Sequence, residues 1–179
     1  PARQSTGFHI APTDRVQAPP ALPKGSGTGV VSVIPILINA MLDENNCRAQ
    51  NILIDLSEQT PLLVYPYFQY IIQALDRYDN FTAWNTWRII ANLLIVDYLE
   101  MWEEIKDKYF AAFNRENIAE ILVVVSTAKF IIKYKPKDKE KITILASECV
   151  NNEFKICNEP APHLNTVAKQ AVDEFFNNL

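Results

Sequence analysis

The chain has 179 residues, of which 49% are hydrophobic and 21% charged, the composition of one globular domain with enough length for a continuous core. Its net charge of −4 is unevenly placed: Arg3, Arg15 and Lys24 against Asp14 make the first 29 residues +2 and leave −6 on the rest, which argues against a protein that tracks a nucleic-acid backbone. All four glycines (Gly7, Gly25, Gly27, Gly29) fall in those first 29 residues. Tight hairpins, bulges and phosphate-cradling loops draw on glycine for positive φ, so a glycine-free stretch of 150 residues predicts an all-α body without them.

Residues 1–29 hold five of the eleven prolines and show no periodicity. "QAPPALPK" reads as extended polyproline II and "GSGTG" as a flexible joint, of natural or fused origin. From residue 30 the pattern is helical. "VVSVIPILINAML" carries Pro35 inside, and Asn46 is placed to cap a second helix with Ala49, Ile52, Leu53 and Leu56 on its apolar face. Thr60-Pro61 starts a third helix that runs to about Asp76, bent at Pro66, with Leu63, Tyr67, Phe68, Ile71, Ile72 and Leu75 inward. A fourth spans residues 84–96. Asp97 is expected to cap a fifth from Tyr98 to Phe113, with Trp102, Ile105, Tyr109 and Phe113 on one side, and Asn114 a sixth reaching Tyr134. The β-branched run "ILVVVSTAKFII" is too long and too free of turn signals for a strand. Lys135-Pro136 ends that helix, a seventh runs to about Asn151, "KICNEPAPH" is a loop, and Leu164–Phe176 is the eighth.

Cys47, Cys149 and Cys157 are odd in number and lack CxxC spacing, which predicts buried or half-buried thiols in a reducing compartment. With His9 and His163 the only histidines, neither a zinc site nor a Ser/His/Asp set can be assembled. No catalytic residue, metal or cofactor is expected. No apolar run approaches the ~18 residues of a membrane span and no basic-led signal peptide is seen, so the expected location is cytoplasmic.

The helices come in pairs with similar joints. "VIPILINAMLDENNCRAQNILIDL" and "VYPYFQYIIQALDRYDNFTAWNTWRIIANLL" can be laid over each other. In each, a proline stands one turn into an apolar helix ending in Leu-Asp (Leu42-Asp43, Leu75-Asp76), followed by a polar turn and an arginine (Arg48, Arg88) in the next helix. Asp43 and Asp76 are 33 positions apart. A two-helix period of this size marks an α-solenoid, whose units bury their faces against neighbours. The pattern resembles the HEAT-repeat family over residues 30–179, about three and a half repeats, and in particular uncharacterised HEAT-like proteins of bacteria. That resemblance implies that Asp43, Arg48, Asp76 and Arg88 form a polar ladder between repeats. The bland alternative is capping acids and solvated arginines.

A solenoid of paired helices makes a concave wall from the second helix of each pair, and that concave face is the expected binding surface. Gln69, Tyr70, Gln73 and Arg77 lie off the apolar stripe of the third helix and, with Lys106, are the candidate row for holding a protein or peptide segment. The bland reading is an exposed helix face. The expected function is a non-enzymatic binding scaffold, with residues 1–29 as a tethered ligand docking Phe8, Ile10 or "APPALP" into a groove. The alternative is a HEAT-like nucleic-acid-binding or DNA base-excision protein using Trp84, Trp87 and Trp102 as stacking platforms; tryptophans at helix joints are more often core wedges. The lysines at 133, 135, 137, 139 and 141 read as a solvated corner, and Glu100, Glu103, Glu104 and Asp107 as a charged outer face.

Overall fold

A computed structural model describes residues 28–44, 46–76 and 80–179, with side chains at 33–42, 46–76 and 82–179. The described residues are mostly helical. Helix α1 (Thr28–Glu44) begins two residues inside the expected joint and contains Pro35. Asn46 caps α2 (Cys47–Gln59), its side-chain oxygen accepting from the N–H groups of Arg48 and Ala49 at 3.1 Å each. Pro61 opens the third helix at its first position. The Thr60 hydroxyl does not cap it, donating back to the Leu56 carbonyl at 3.0 Å.

That third helix is interrupted where Pro66 removes an N–H. α3 (Pro61–Val64) passes into 3-10 turn at Tyr65–Tyr67, α4 (Phe68–Ile71) follows, and a further 3-10 turn ends it at Ile72–Asp76. Its buried face is Val64, Tyr65, Tyr67, Phe68, Ile71 and Ala74; Leu63, expected inward, is exposed. The Tyr67 hydroxyl is buried without a hydrogen-bond partner, and burial pushes its pKa up. Because an orphaned buried hydroxyl costs more than it returns, Tyr67→Phe is expected to stabilise the fold by about 1 kcal/mol or less, read from the urea midpoint.

α5 (Asn80–Leu93) continues as 3-10 turn to Val96. Asp97 is not the N-cap of α6 (Trp102–Ala112), which starts four residues later than expected with Met101 at the cap position; the Asp97 carboxylate instead accepts from the N–H groups of Met101 and Trp102. The cap of α7 (Ile118–Tyr134) is Asn117 rather than Asn114, its side chain accepting from Ala119 N–H at 2.9 Å. α8 (Lys139–Glu148) ends in 3-10 turn at Asn151, and α9 (Leu164–Asn177) closes the chain. Between them lies an element the glycine argument excluded, a short antiparallel hairpin of β1 (Lys155–Ile156) and β2 (Glu159–Pro160). Its two-residue turn puts Cys157 (φ 50°) and Asn158 (φ 67°) in the left-handed region. Asparagine tolerates that region without glycine, and the pair has the double positive φ of a type I′ turn.

Two-helix units follow from the short connections. α1 packs antiparallel on α2, the α3–α4 rod on α5, α6 on α7, and α8 leads into α9. The second helices are in successive contact, α2 with α5, α5 with α7, and α7 with α9. α5 and α7 form the centre of the core, through Ile89, Ile90, Leu93, Val124, Ala128 and Ile131, all fully buried. On α2 the inward position expected for Ile52 belongs to a polar residue: Ile52 is 38% exposed and Gln50 is 0%. Gln50 Nε2 donates to Thr82 Oγ1 (3.0 Å) and its Oε1 accepts from Asn85 Nδ2 (2.6 Å), while Asn92 Nδ2 donates to Ser57 Oγ (3.0 Å). These bonds fix the register of α2 on α5. Gln50→Ala strands Thr82 and Asn85 and opens a void, so it is expected to cost about 2–4 kcal/mol in denaturant unfolding.

Candidate functional site

The polar centre of the molecule lies where the units join. Residues 95–100 link α5 to α6 and place the Asp97 side chain at 0% exposure. Tyr65 from the 3-10 turn inside the third helix donates its hydroxyl to Asp97 Oδ1 at 2.6 Å, and Lys135 from the following joint sits 2.6 Å from Oδ2. The N–H groups of Met101 (2.8 Å) and Trp102 (3.2 Å) complete the carboxylate, and Leu99 N–H donates to the Tyr65 hydroxyl at 3.2 Å. Trp102 repeats the device one unit on, its indole Nε1–H donating to Asp138 at 2.7 Å. The third helix, the link before α6 and the link before α8 are therefore tied to one another through Asp97 and Asp138. Burial alone would raise the Asp97 pKa, but Lys135, Tyr65 and the Trp102 N–H outweigh it and hold the carboxyl below its ordinary value. Burial and Asp97 push Tyr65 up to about 12.

Lys135 is thus no part of a solvated corner. Lys141 stays exposed, its ammonium 3.8 Å from the Phe110 ring centroid and 3.9 Å from Asp107. Lys133, Lys137 and Lys139 are exposed. Of the cysteines only Cys149 is buried, which raises its pKa to about 11; Cys47 and Cys157 are exposed, contrary to expectation.

Among the ladder residues, Asp76 pairs with Lys108 of α6 at 2.6 Å, Arg48 and Arg88 are exposed, and the Asp43 side chain lies outside the described residues. Apart from Asp76, the ties observed between units use other side chains. Asp76–Lys108 is echoed by Asp107–Lys141, and hydrogen bonds between distant segments span 32 to 39 positions again and again: Tyr65–Asp97, Gln50–Asn85, Trp102–Asp138, Asn152–Phe113. That separation equals one two-helix unit.

The candidate binding row is brought together in part. It lies on the first helices of their pairs, Gln69 and Tyr70 on α4, Gln73 on the 3-10 turn at Ile72–Asp76 and Lys106 on α6, not on the second-helix row expected to form a concave wall. Gln69 is exposed and donates to Glu104 Oε2 at 2.9 Å; Gln73 is exposed and donates to the Gln69 carbonyl at 3.4 Å. Tyr70 is half-buried against the core, and Lys106 pairs with Glu103, which raises its pKa. Arg77, and Phe8 and Ile10 of the N-terminal segment, lie outside the described residues.

Trp87 and Trp102 are buried at 3% and 0% and Trp84 is half-buried, which favours wedges over stacking platforms. Trp87, Trp102 and Phe113 each meet the Tyr109 ring edge-on, with centroids 5.2, 5.4 and 5.4 Å away, and Tyr109 donates to the Val124 carbonyl at 2.7 Å. On the second-helix row, a groove of about 130 Å³ opens between α7 and α9, with Leu122, Val125 and Phe175 as floor and Lys129 and Glu174 on its lining. It is large enough for one apolar side chain. Among the described residues no group of three His, Cys, Asp or Glu gathers as a metal would need, and no helix is long and apolar enough to cross a membrane. Compared with known proteins, the chain matches no family model, no curated protein and no solved structure.

Proposed function

We propose that this protein is a short HEAT-like α-solenoid that works as a non-enzymatic scaffold, holding a protein or peptide segment against its helices. The observation that carries this reading is the successive packing of α2, α5, α7 and α9 together with polar ties that recur one unit apart. Units that contact only their neighbours give a repeat array its extended surface. The groups with the most perturbed surroundings, Asp97, Tyr65, Lys135 and Tyr109, satisfy one another inside the fold instead of facing a cleft, which speaks for architecture over catalysis. The capturing surface is the row Gln69, Tyr70 and Gln73, with Arg77 and Lys106 at its margin. The ladder residues Asp43, Arg48, Asp76 and Arg88 keep an architectural role.

Selection of peptides from a displayed random library on the full chain tests this. The expected outcome is saturable binding of a recurring sequence, weakened at least about tenfold by Tyr70→Ala with Gln73→Ala while far-UV circular dichroism is unchanged. No selected sequence, or binding indifferent to both substitutions, would contradict the proposal. The acidic body is also expected to leave duplex DNA unretained in a low-salt filter assay.

A further inference from the structure

Residues 129–141 carry six lysines against Asp138 and Glu140, while residues 30–179 as a whole are −6. Two of the six are answered within the fold, Lys135 by Asp97 and Lys141 by Asp107, and Asp138 is taken by the Trp102 indole. Lys129 and Lys133 are exposed and form no ion pair among the described residues. Each ammonium lies 5.2 Å from the ring centroid of the aromatic residue that follows it, Phe130 and Tyr134. Cations left without counter-ions on an acidic body make a local positive site. At a Debye length of about 8 Å a short ligand responds to that site and not to the net charge.

The two lysines continue an apolar groove. Leu122, Ser126, Lys129 and Lys133 recur at 3–4 spacing on α7 and so share one face of it. The first three line the groove between α7 and α9, where buried Val125 and Phe175 form the floor and Ala171, Glu174 and Asn178 stand on the α9 side. From Leu122 to Lys133 this face runs about 16 Å, the length of about five extended residues. One end admits a single apolar side chain, and the other offers two ammonium groups. Glu174 is the acid of the lining. It can accept a backbone N–H from an occupant and repels carboxylates directed across α9, which leaves them the direction of Lys129 and Lys133.

We propose that this face binds an acidic peptide segment with one apolar anchor: the anchor enters the α7–α9 groove, and the carboxylates that follow it pair with Lys129 and Lys133. A nucleic acid or an anionic membrane would match the lysines but not a slot for one side chain, and either extends far enough to meet the acidic body. The surface is separate from the α4–α6 row and does not depend on it.

The test is an amide NMR titration of the full chain with an acetylated hexapeptide amide of one leucine followed by five glutamates. The expected result is saturable shifts confined to residues 122–133 and 171–178 and weakened by added salt. The dissociation constant is expected to rise at least about tenfold in Lys129→Glu/Lys133→Glu, and again in Ala171→Leu, which fills the groove without changing its charge. No shifts up to ~1 mM peptide, shifts on other surfaces, or equal affinity for a hexapeptide with glycine in place of leucine would overturn the proposal. Tighter binding of a thymidine oligonucleotide or of phosphatidylserine vesicles at these residues would overturn it too. Should Ala171→Leu lose its helicity, the leucine-to-glycine comparison decides the groove alone. None of the substituted residues belongs to the α4–α6 row, so failure of peptide selection there and failure here are read separately.

Discussion

Asp97→Ala is expected to cost about 3–5 kcal/mol of unfolding free energy, because it leaves the largely covered Lys135 without a counter-ion and removes the acceptor of the Met101 and Trp102 N–H groups in the same step. The loss is not local. Asp97 receives Tyr65 from the third helix and Lys135 from the end of α7, so its removal loosens the second unit from the third. A double-mutant cycle with Lys135→Met isolates the ion pair, and a coupling of about 1–3 kcal/mol is expected between these contacting groups. The pH dependence has a definite sign. Asp97 is held below its ordinary pKa in the folded chain, so its contribution is fully present above the unfolded value of about 4 and is lost as pH falls through the lower, folded value. Chemical denaturation between neutral pH and pH 2 measures this. The native chain is expected to lose stability in the acid range more steeply than Asp97→Ala, and parallel profiles would show that the carboxylate is not the linked group.

Trp102→Ala is the second large effect, also about 3–5 kcal/mol. The indole is fully buried at the start of α6, edge-on to Tyr109 and Phe110, and its N–H reaches Asp138 at the next joint. Trp102→Phe separates the two contributions. Phenylalanine keeps most of the apolar contact but leaves Asp138 without its donor, so the expected cost is about 1–2 kcal/mol. If phenylalanine cost as much as alanine, the hydrogen bond to Asp138 and not the packed volume would dominate. Urea unfolding followed by circular dichroism, which does not depend on the fluorophore being replaced, is the measurement.

Much of this architecture could be read from local chemistry. Asn46, Pro61, Pro66 and Lys135-Pro136 punctuate the chain where the sequence says they should, and the β-branched run of α7 is helical because nothing inside it can turn. Other features needed tertiary information. The cap at Asn117 had a visible signal, since Glu120 follows three residues later in the spacing of a capping box. The hairpin at 155–160 was hidden because asparagine, not glycine, supplies the left-handed turn. Gln50 took the buried position that hydropathy assigns to Ile52, because Thr82 and Asn85 satisfy it from α5, and no local pattern reports a partner more than thirty residues away. The same blindness made Lys135 look solvated. Of the candidate row, Gln69 and Gln73 are exposed as their spacing implied, but Tyr70 is half-buried against the core.

The proposed scaffold rests on the stacking of two-helix units, for which the successive contacts of α2, α5, α7 and α9 are the support. Nuclear Overhauser contacts between methyl and aromatic groups in the full chain measure it most directly. The predicted result is a nearest-neighbour ladder, with Leu53 near α5, Ile90 near α7 and Val172 near α7, and the Trp87 and Tyr109 rings in contact at 5.2 Å. Strong contacts from Leu53 to Val172, joining the first unit to the last, would describe a closed bundle and contradict it.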